Sequence, residues 1–320
     1  MKVKFGVHIE PQLGHSYEQA EKIALEGEKL GYDSFWCSDH FFLNDKSETR
    51  YCMEAWTLLS ALAAKTSKIR LGTLVTCNSY RHPSLLAKIA STIDMISNGR
   101  LYFGFGAGWK EIEYNAYGYP FPSPKERLDR MEEALQIIRI LWTEDKPSFE
   151  GEYYAIKDAF SAPKPVQKPT PPIFIGGDGE KRTLKAVAKY ADYCNLYAKP
   201  NAPHKLEVLR KHCKDVGRDF EDVGKSLFAI NEVFVTESDK ELEEFLAYMA
   251  KEFGKSVDEV RKQYDDDEPG SWIGNPDDVK ERFQYYIDMG FDFFQVIFPG
   301  LGDDYVEASR RFAESVMKKL

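Results

Sequence analysis

Asp39 and His40 stand side by side just after the apolar run SFWC at 34–37, where an imidazole can give or take a proton near neutral pH. General acid–base help of this kind is typically worth about 10²- to 10⁴-fold in rate. The plainer reading of the pair is a histidine hydrogen-bonded at a strand end. Downstream, Gly104, Gly106 and Gly108 alternate through LYFGFGAG. On a strand they share one face, where missing Cβ atoms leave room for a large flat ligand to approach the backbone. The GxGxG pattern is weak evidence for a nucleotide by itself, because it closes a fourth strand and not the first strand of a dinucleotide fold. A third stretch, IGGDGEKR at 175–182, reads as a phosphate cradle: Gly176, Gly177 and Gly179 expose N–H groups, a helix begins, and Lys181 and Arg182 sit in its first turn. A glycine-rich turn with two solvated cations is the alternative. His15, His82, His204 and His212 have no metal-ligand spacing, so no metal is expected, and His8 is placed to point inward from the first strand.

The elements that must position these groups alternate along the chain. Apolar, β-rich runs near 3–9, 33–38, 69–76 and 100–107 are separated by helical patterns near 16–30, 54–66, 83–97 and 125–142. Strands spaced by helices imply parallel pairing through right-handed crossovers. The rhythm breaks at about 147–171, where a Gly-centred hairpin pattern precedes a Pro-rich tract, read as an insertion between strands four and five. PPIFIGG, ADYCNLY, SLFAINEVFV and FDFFQVIF then supply strands five to eight, each followed by a helical pattern, including the acidic stretch 237–265, whose charges are expected to face solvent. Eight strand–helix units in 320 residues predict one α/β domain over 1–320, a closed (β/α)8 TIM barrel and not an open doubly wound sheet. Ser38, Asp39, His40, Thr76, Gly106 to Trp109 and Gly176 to Gly179, at strand C-terminal ends, are then expected to face one pocket.

Composition narrows the partners. Lys and Arg total 43 against 52 Asp and Glu, a formal charge of -9 that opposes nonspecific binding to nucleic acid or anionic lipid and leaves a small molecule as the expected partner. Five cysteines without a CxxC suit a reducing cytoplasm, and no run approaches the roughly 18 uninterrupted apolar residues of a membrane span. The opening MKVKFGVHI is too short an apolar run for a signal peptide. Trp36, Phe41, Phe42, Tyr80, Trp109, Tyr114, Tyr117, Tyr119 and Phe121 cluster near strand ends, where they could wall a substrate pocket or simply pack.

Three segments together carry a family resemblance: SFWCSDHF, LGTLVTCNSYRHPSLLAKIASTIDMISNGRLYFGFGAGW, and PPIFIGGDGEKRTLKAVAKYAD. In order and spacing they resemble the bacterial luciferase-like superfamily, and most of all its flavin- and deazaflavin (coenzyme F420)-dependent oxidoreductases, over nearly the whole chain. The resemblance implies a barrel with an isoalloxazine-like ring at its C-terminal mouth. It sets Asp39 and His40 against the cofactor, with His40 at the position proposed for proton transfer. It also implies a non-prolyl cis peptide between Leu74 and Val75, close approach of the Ala107 and Gly108 backbone to the ring, and a phosphate at Gly176, Gly177, Lys181 and Arg182. Some deazaflavin sugar-phosphate dehydrogenases have a catalytic Glu where this chain has Trp109, so substrate identity does not carry over. Glu111 and Glu113 are read as solvated charges on the following helix. Coenzyme F420 bears a phosphodiester and an oligoglutamate tail, for which Lys181, Arg182, Lys185, Lys199 and Lys205 could form a basic lip; FMN, needing one phosphate site, fits the same residues. The expected activity is hydride transfer between reduced F420 and a small organic substrate. The alternatives are an FMNH2-dependent monooxygenase, which needs oxygen and a separate flavin reductase, and a noncatalytic flavin-binding barrel. Homodimers are common in the family.

Overall fold

A computed structural model describes residues 3–46, 50–229, 232–264 and 268–320, apart from the side chains of Glu252 and Phe253. Eight parallel strands form the barrel: β1 (Lys4–Ile9), β2 (Ser34–Cys37), β3 (Arg70–Thr73), β4 (Leu101–Gly106), β5 (Ile173–Gly176), β6 (Tyr193–Tyr197), β7 (Gly224–Ala229) and β8 (Phe293–Val296). Their order β3-β2-β1-β8-β7-β6-β5-β4 closes on itself where Leu71 and Gly72 pair with Leu101 and Tyr102, so the predicted (β/α)8 barrel is the observed one. Around it run α1 (Tyr17–Leu30), α2 (Ala55–Lys65), α3 (Pro83–Ile96), α4 (Glu111–Tyr117), α5 (Pro124–Thr143), α6 (Thr183–Tyr190), α7 (Ala202–Asp215), α8 (Asp239–Phe253), α9 (Val257–Tyr264), α10 (Pro276–Asp288) and α11 (Asp303–Ser315). None of these is long and apolar enough to cross a membrane among the described residues.

Alternation along the strands sorts the two faces. Phe5, Val7 and Ile9 of β1 face the helices, where they join a continuous apolar layer with Ile23, Ala24 and Phe312. The opposite face fills the barrel. Trp36 stacks on Tyr102 with ring centroids 5.4 Å apart and meets Phe174 and Phe293 edge-on, forming an aromatic plug. It fits because β1 and β3 carry Gly6 and Gly72 opposite it; a Cβ on either would come within 2.6 Å of the indole. A polar layer includes His8 and the knot of Asn195, Ser226 and Gln295, in which Asn195 Nδ2 donates to Ser226 Oγ at 2.7 Å and to Gln295 Oε1 at 2.9 Å.

Local chemistry fixes the strand ends. Ser16 and Gln19 form a reciprocal capping box at the start of α1, and Gly31, in the left-handed region, ends it. Glu28 then reaches across to accept the amides of Ser67, Lys68 and Ile69, setting the entry to β3. Those four hydrogen bonds, counting Ser67 Oγ, overcome the effect of partial burial and draw its carboxyl down to about 2.

Two expected strands are broken in informative ways. The run at 69–76 ends as a strand at Thr73; the Leu74–Val75 peptide is cis, and Thr76–Cys77 resumes pairing against Phe105 and Gly106. The run SLFAINEVFV divides into β7 and a short strand Phe234–Val235, which pairs in parallel with Ile273–Gly274 outside the barrel, while Ile230 and Asn231 lie outside the described residues. The acidic stretch forms two helices, α8 and α9, with Asp265 outside the described residues. Within 147–171 the hairpin is present as Phe149–Glu150 paired with Ala155–Ile156, and Glu133 of α5 accepts the amides of 152, 153 and 154.

Candidate active site

The C-terminal ends of the barrel strands open into a cavity of about 670 Å³. Glu10 reaches it from β1, Ser38 to His40 from β2, Leu74 to Cys77 from the cis turn, Gly106 to Trp109 from β4, and Gly176 and Gly177 from β5. Asn195, Tyr197, Phe228 and Ile297 complete the barrel side, and Glu232, Met249, Gln263 and Tyr264 cover the far side. The segments around 39–40, 74–75, 106–108 and 176–177 therefore converge on one space.

His40 is held rigidly in it. Its Nδ1 lies 3.0 Å from Glu113 Oε2, and the same carboxylate accepts the Phe41 amide at 2.8 Å, the Tyr80 hydroxyl at 2.9 Å and the Lys110 ammonium at 3.2 Å. Glu113 is fully buried. Burial alone would raise its pKa, but His40, the Phe41 N–H and Lys110 outweigh that and bring it to about 2. An ionised carboxylate only accepts, so Nδ1 carries the proton and Nε2 is the nitrogen left for a bound molecule. The expectation that Glu113 is a solvated charge is thus corrected: it lies on the inward face of α4 and orients the imidazole. Glu111 is exposed, as expected.

Asp39 has a different task. Arg81 grips both its oxygens, at 2.7 and 2.8 Å, and the Cys77 amide donates to it at 3.0 Å. Burial pushes the carboxyl up while Arg81 and the Cys77 N–H pull it back. The pair ties the end of β2 to the 77–81 segment, and thereby the cis turn to His40. That turn rests on glycine. A Cβ on Gly104 would lie 1.8 Å from the Thr73 carbonyl oxygen; on Gly106 or Gly176 it would meet the Val75 side chain at 2.7 or 2.9 Å. The space left by Gly104 and Gly106 is therefore filled by the chain's own Thr73 and Val75, and not directly by a ligand. Gly108 has φ +79°, Tyr114 Oη would stand 2.0 Å from its Cβ, and its carbonyl accepts from Arg127 Nε at 3.1 Å.

The sequence model of the luciferase-like monooxygenase family matches residues 2–292. The chain belongs to that family. It is an enzyme of the luciferase-like oxidoreductase class. Among curated relatives, an F420-dependent glucose-6-phosphate dehydrogenase of Amycolatopsis mediterranei is 29% identical over 93% of this chain and 92% of that protein, and one of Microbacterium testaceum is 28% identical over 92% and 90%. Among solved structures, an F420-dependent secondary alcohol dehydrogenase with an F420–acetone adduct superposes with a TM-score of 0.80 at 22% identity, covering 99% of this chain and 98% of that one. A long-chain alkane monooxygenase superposes with a TM-score of 0.78 at 18% identity, over 100% and 91%. The likeness to these two structures is one of fold.

Within this luciferase-like barrel, Asp39, His40, Leu74, Val75, Ala107, Gly108, Gly176 and Gly177 line the cavity, whereas Asp178, Gly179, Lys181 and Arg182 do not. α6 begins at Thr183, so the two cations precede the helix and do not sit within its first turn. Arg182 is engaged by Asp129 and Glu132, Lys205 by Glu180 at 2.7 Å, and Lys199 lies over the Tyr197 ring; Lys181 and Lys185 are exposed. Of the nine aromatics, Tyr80 and Trp109 line the cavity. Trp36 is in the barrel plug, and Phe41 stacks between Tyr80 and Tyr117 at 4.3 Å from each, bracing the loop that carries His40.

Sequence reasoning passed over Glu10 and Glu232. Glu10, one residue past β1, bonds His8 Nε2 at 2.9 Å and touches Gln12, and His8 offsets burial to leave its carboxyl below the ordinary range. Its place at a strand end was a usable signal. Glu232 lies in the run SLFAINEVFV, read as one strand, where its position gave no sign that it lines the cavity.

Proposed function

We propose that this protein is an F420-dependent oxidoreductase that moves a hydride between the deazaflavin and a small organic substrate. The observation that carries the reading is the His40–Glu113 pair, its carboxylate buried and its imidazole lining a cavity of about 670 Å³ at the barrel mouth. The full-length similarity to enzymes named F420-dependent supports the choice of cofactor.

The residues present fit such a group. Leu74 and Val75 offer a fixed apolar wall, backed by Gly104, Gly106 and Gly176, against which a flat ring system can rest. The Gly176–Gly177 turn, with exposed Lys181 beyond it, suits a phosphate at the rim. When bound, the deazaflavin supplies the carbon that gives or receives the hydride. The protein's share is proton handling and exclusion of water. His40 Nε2 accepts the proton of a substrate hydroxyl as it becomes a carbonyl, or returns it in reverse. Glu113 keeps the ring in the required tautomer and balances the charge that forms on it, as a buried carboxylate does beside other catalytic histidines. Phe228, Ile297, Tyr197 and Tyr264 keep the reacting region apolar.

Titrating the purified protein with F420 and, separately, with FMN while following fluorescence tests the cofactor. Tight F420 binding and substrate-dependent turnover without oxygen uptake are expected. Selective FMN binding with oxygen consumption would replace this reading by the monooxygenase one.

A further inference from the structure

The charges around the cavity do not suit the substrate for which the two curated relatives are named. Among the described lining residues Lys110 is the one cation, and its ammonium is already committed to Glu113 and to the Phe42 carbonyl. Four carboxyl groups line the same space: Glu10, Asp39, Glu113 and Glu232. Three have partners, in His8 and Gln12, in Arg81, and in His40 with Lys110. Lys199 and Lys181 stand outside, exposed at the rim. Among the described residues, a phosphate ester entering this space would meet carboxylates and no free cation.

The fourth carboxyl differs from the others. Glu232 Oε2 is buried without a hydrogen-bond partner, on the side of the cavity formed with Met249 and Tyr264 from α8 and α9. A buried, unmatched carboxyl is costly unless a ligand supplies its hydrogen bonds. Burial pushes this group up to about 7, so near neutral pH it donates as well as accepts. Apolar side chains share the cavity lining with it: Phe228, Ile297, Tyr197 and Leu74.

We propose that Glu232 is the residue by which the cavity selects its substrate, and that the substrate is an uncharged alcohol or carbonyl compound with an apolar body and a second hydroxyl group, which Glu232 hydrogen-bonds. This rests on the oxidoreductase reading and names its substrate class. Sugar phosphates are excluded.

The test uses the F420-loaded enzyme with matched probes whose second hydroxyl is set apart from the reacting one: hexan-2-ol, hexane-2,5-diol, cyclohexanol, cyclohexane-1,4-diol and glucose 6-phosphate. Turnover is read from F420 absorbance and binding from thermal shift. The diols are expected to show kcat/KM about tenfold above their mono-alcohols, the worth of one hydrogen bond, with glucose 6-phosphate inactive. Glu232→Leu should erase that preference through the KM of the diols, and Glu232→Gln should restore most of it. If no probe turns over, a thermal shift by the diols that Glu232→Leu abolishes supports the proposal. A diol preference that survives in Glu232→Leu, glucose 6-phosphate matching the diols in turnover or shift, or no diol response in either readout overturns it. Failure of F420 to bind at all is a separate result, which removes the cofactor reading instead.

Discussion

Replacing Glu113 by Gln keeps the size and shape of the side chain and removes its charge, so it isolates what the buried carboxylate does. A carboxyl lowered from its ordinary 4.5 to about 2 contributes about 3 kcal/mol of stability at neutral pH. Because the folded value lies below the unfolded one, that contribution is fully present above about pH 5 and is lost as pH falls through 4 towards 2. Urea unfolding followed by tryptophan fluorescence should therefore place Glu113→Gln about 3 kcal/mol below the parent at pH 7, with the gap closing as pH drops to about 2. The kinetic effect follows from hydrogen-bond polarity. An amide that accepts from the Phe41 N–H with its oxygen presents its NH2 to His40 Nδ1, which must then accept, and the proton moves to Nε2. A histidine protonated on the cavity side cannot take a hydroxyl proton, so alcohol oxidation should slow about 10²- to 10⁴-fold with F420 affinity unchanged. Wild-type turnover in Glu113→Gln, or a stability gap that does not change between pH 7 and pH 3, would refute the assignment of this pair.

Two further substitutions probe the frame around it. Gly104→Ala sets a methyl against the Thr73 carbonyl oxygen at 1.8 Å, a backbone atom that cannot step aside, and should lose about 3 kcal/mol or more in urea unfolding. Gly106→Ala meets the Val75 Cγ2 methyl at 2.7 Å and should lose about 1 kcal/mol; equal losses at the two sites would contradict the close approach of the Thr73 carbonyl to Gly104. Arg81→Met leaves Asp39 buried without its counter-ion and should destabilise by about 3–5 kcal/mol, of which Asp39→Asn in the same chain recovers at least half. No recovery in that thermal-denaturation comparison would mean that Arg81 acts through something other than the Asp39 charge.

The barrel was legible because each of its strands is a short apolar run bounded by helix signals, and parallel pairing then leaves few topologies. What the period could not show is where a run stops being a strand. TLVTC reads as one β-rich run, yet strand pairing stops at Thr73 and resumes at Thr76 around the cis Leu74–Val75 peptide; only the family resemblance pointed there. Similarly, AINEVFV reads as one strand, but Phe234–Val235 pairs with Ile273–Gly274 outside the barrel while Glu232 lines the cavity. The position of Asp39 and His40 after β2 was enough to expect them at the cavity, which they line. Their supporting charges were not legible, because Glu113 and Arg81 lie 73 and 42 residues away in sequence, and a Glu in EIEYNAY carries the same local pattern whether it meets water or an imidazole.

The four carboxyl groups around the mouth show why that long-range information matters more than residue type. All four line one cavity, where burial by itself raises the pKa of each of them. Arg81 converts Asp39 into a brace, His40 and Lys110 convert Glu113 into a fixed negative charge behind an imidazole, and His8 with Gln12 anchors Glu10. Burial has no such opponent at Glu232, so its pKa moves towards neutrality while that of Glu113 moves the other way. Two glutamates facing one cavity thus end up with opposite electrostatic characters, one a fixed negative charge and the other able to donate a hydrogen bond. The separation comes from the partners each strand end brings with it. A barrel can therefore keep its His40–Glu113 chemistry while the helices over the far side, α8 and α9, change what is allowed to reach it.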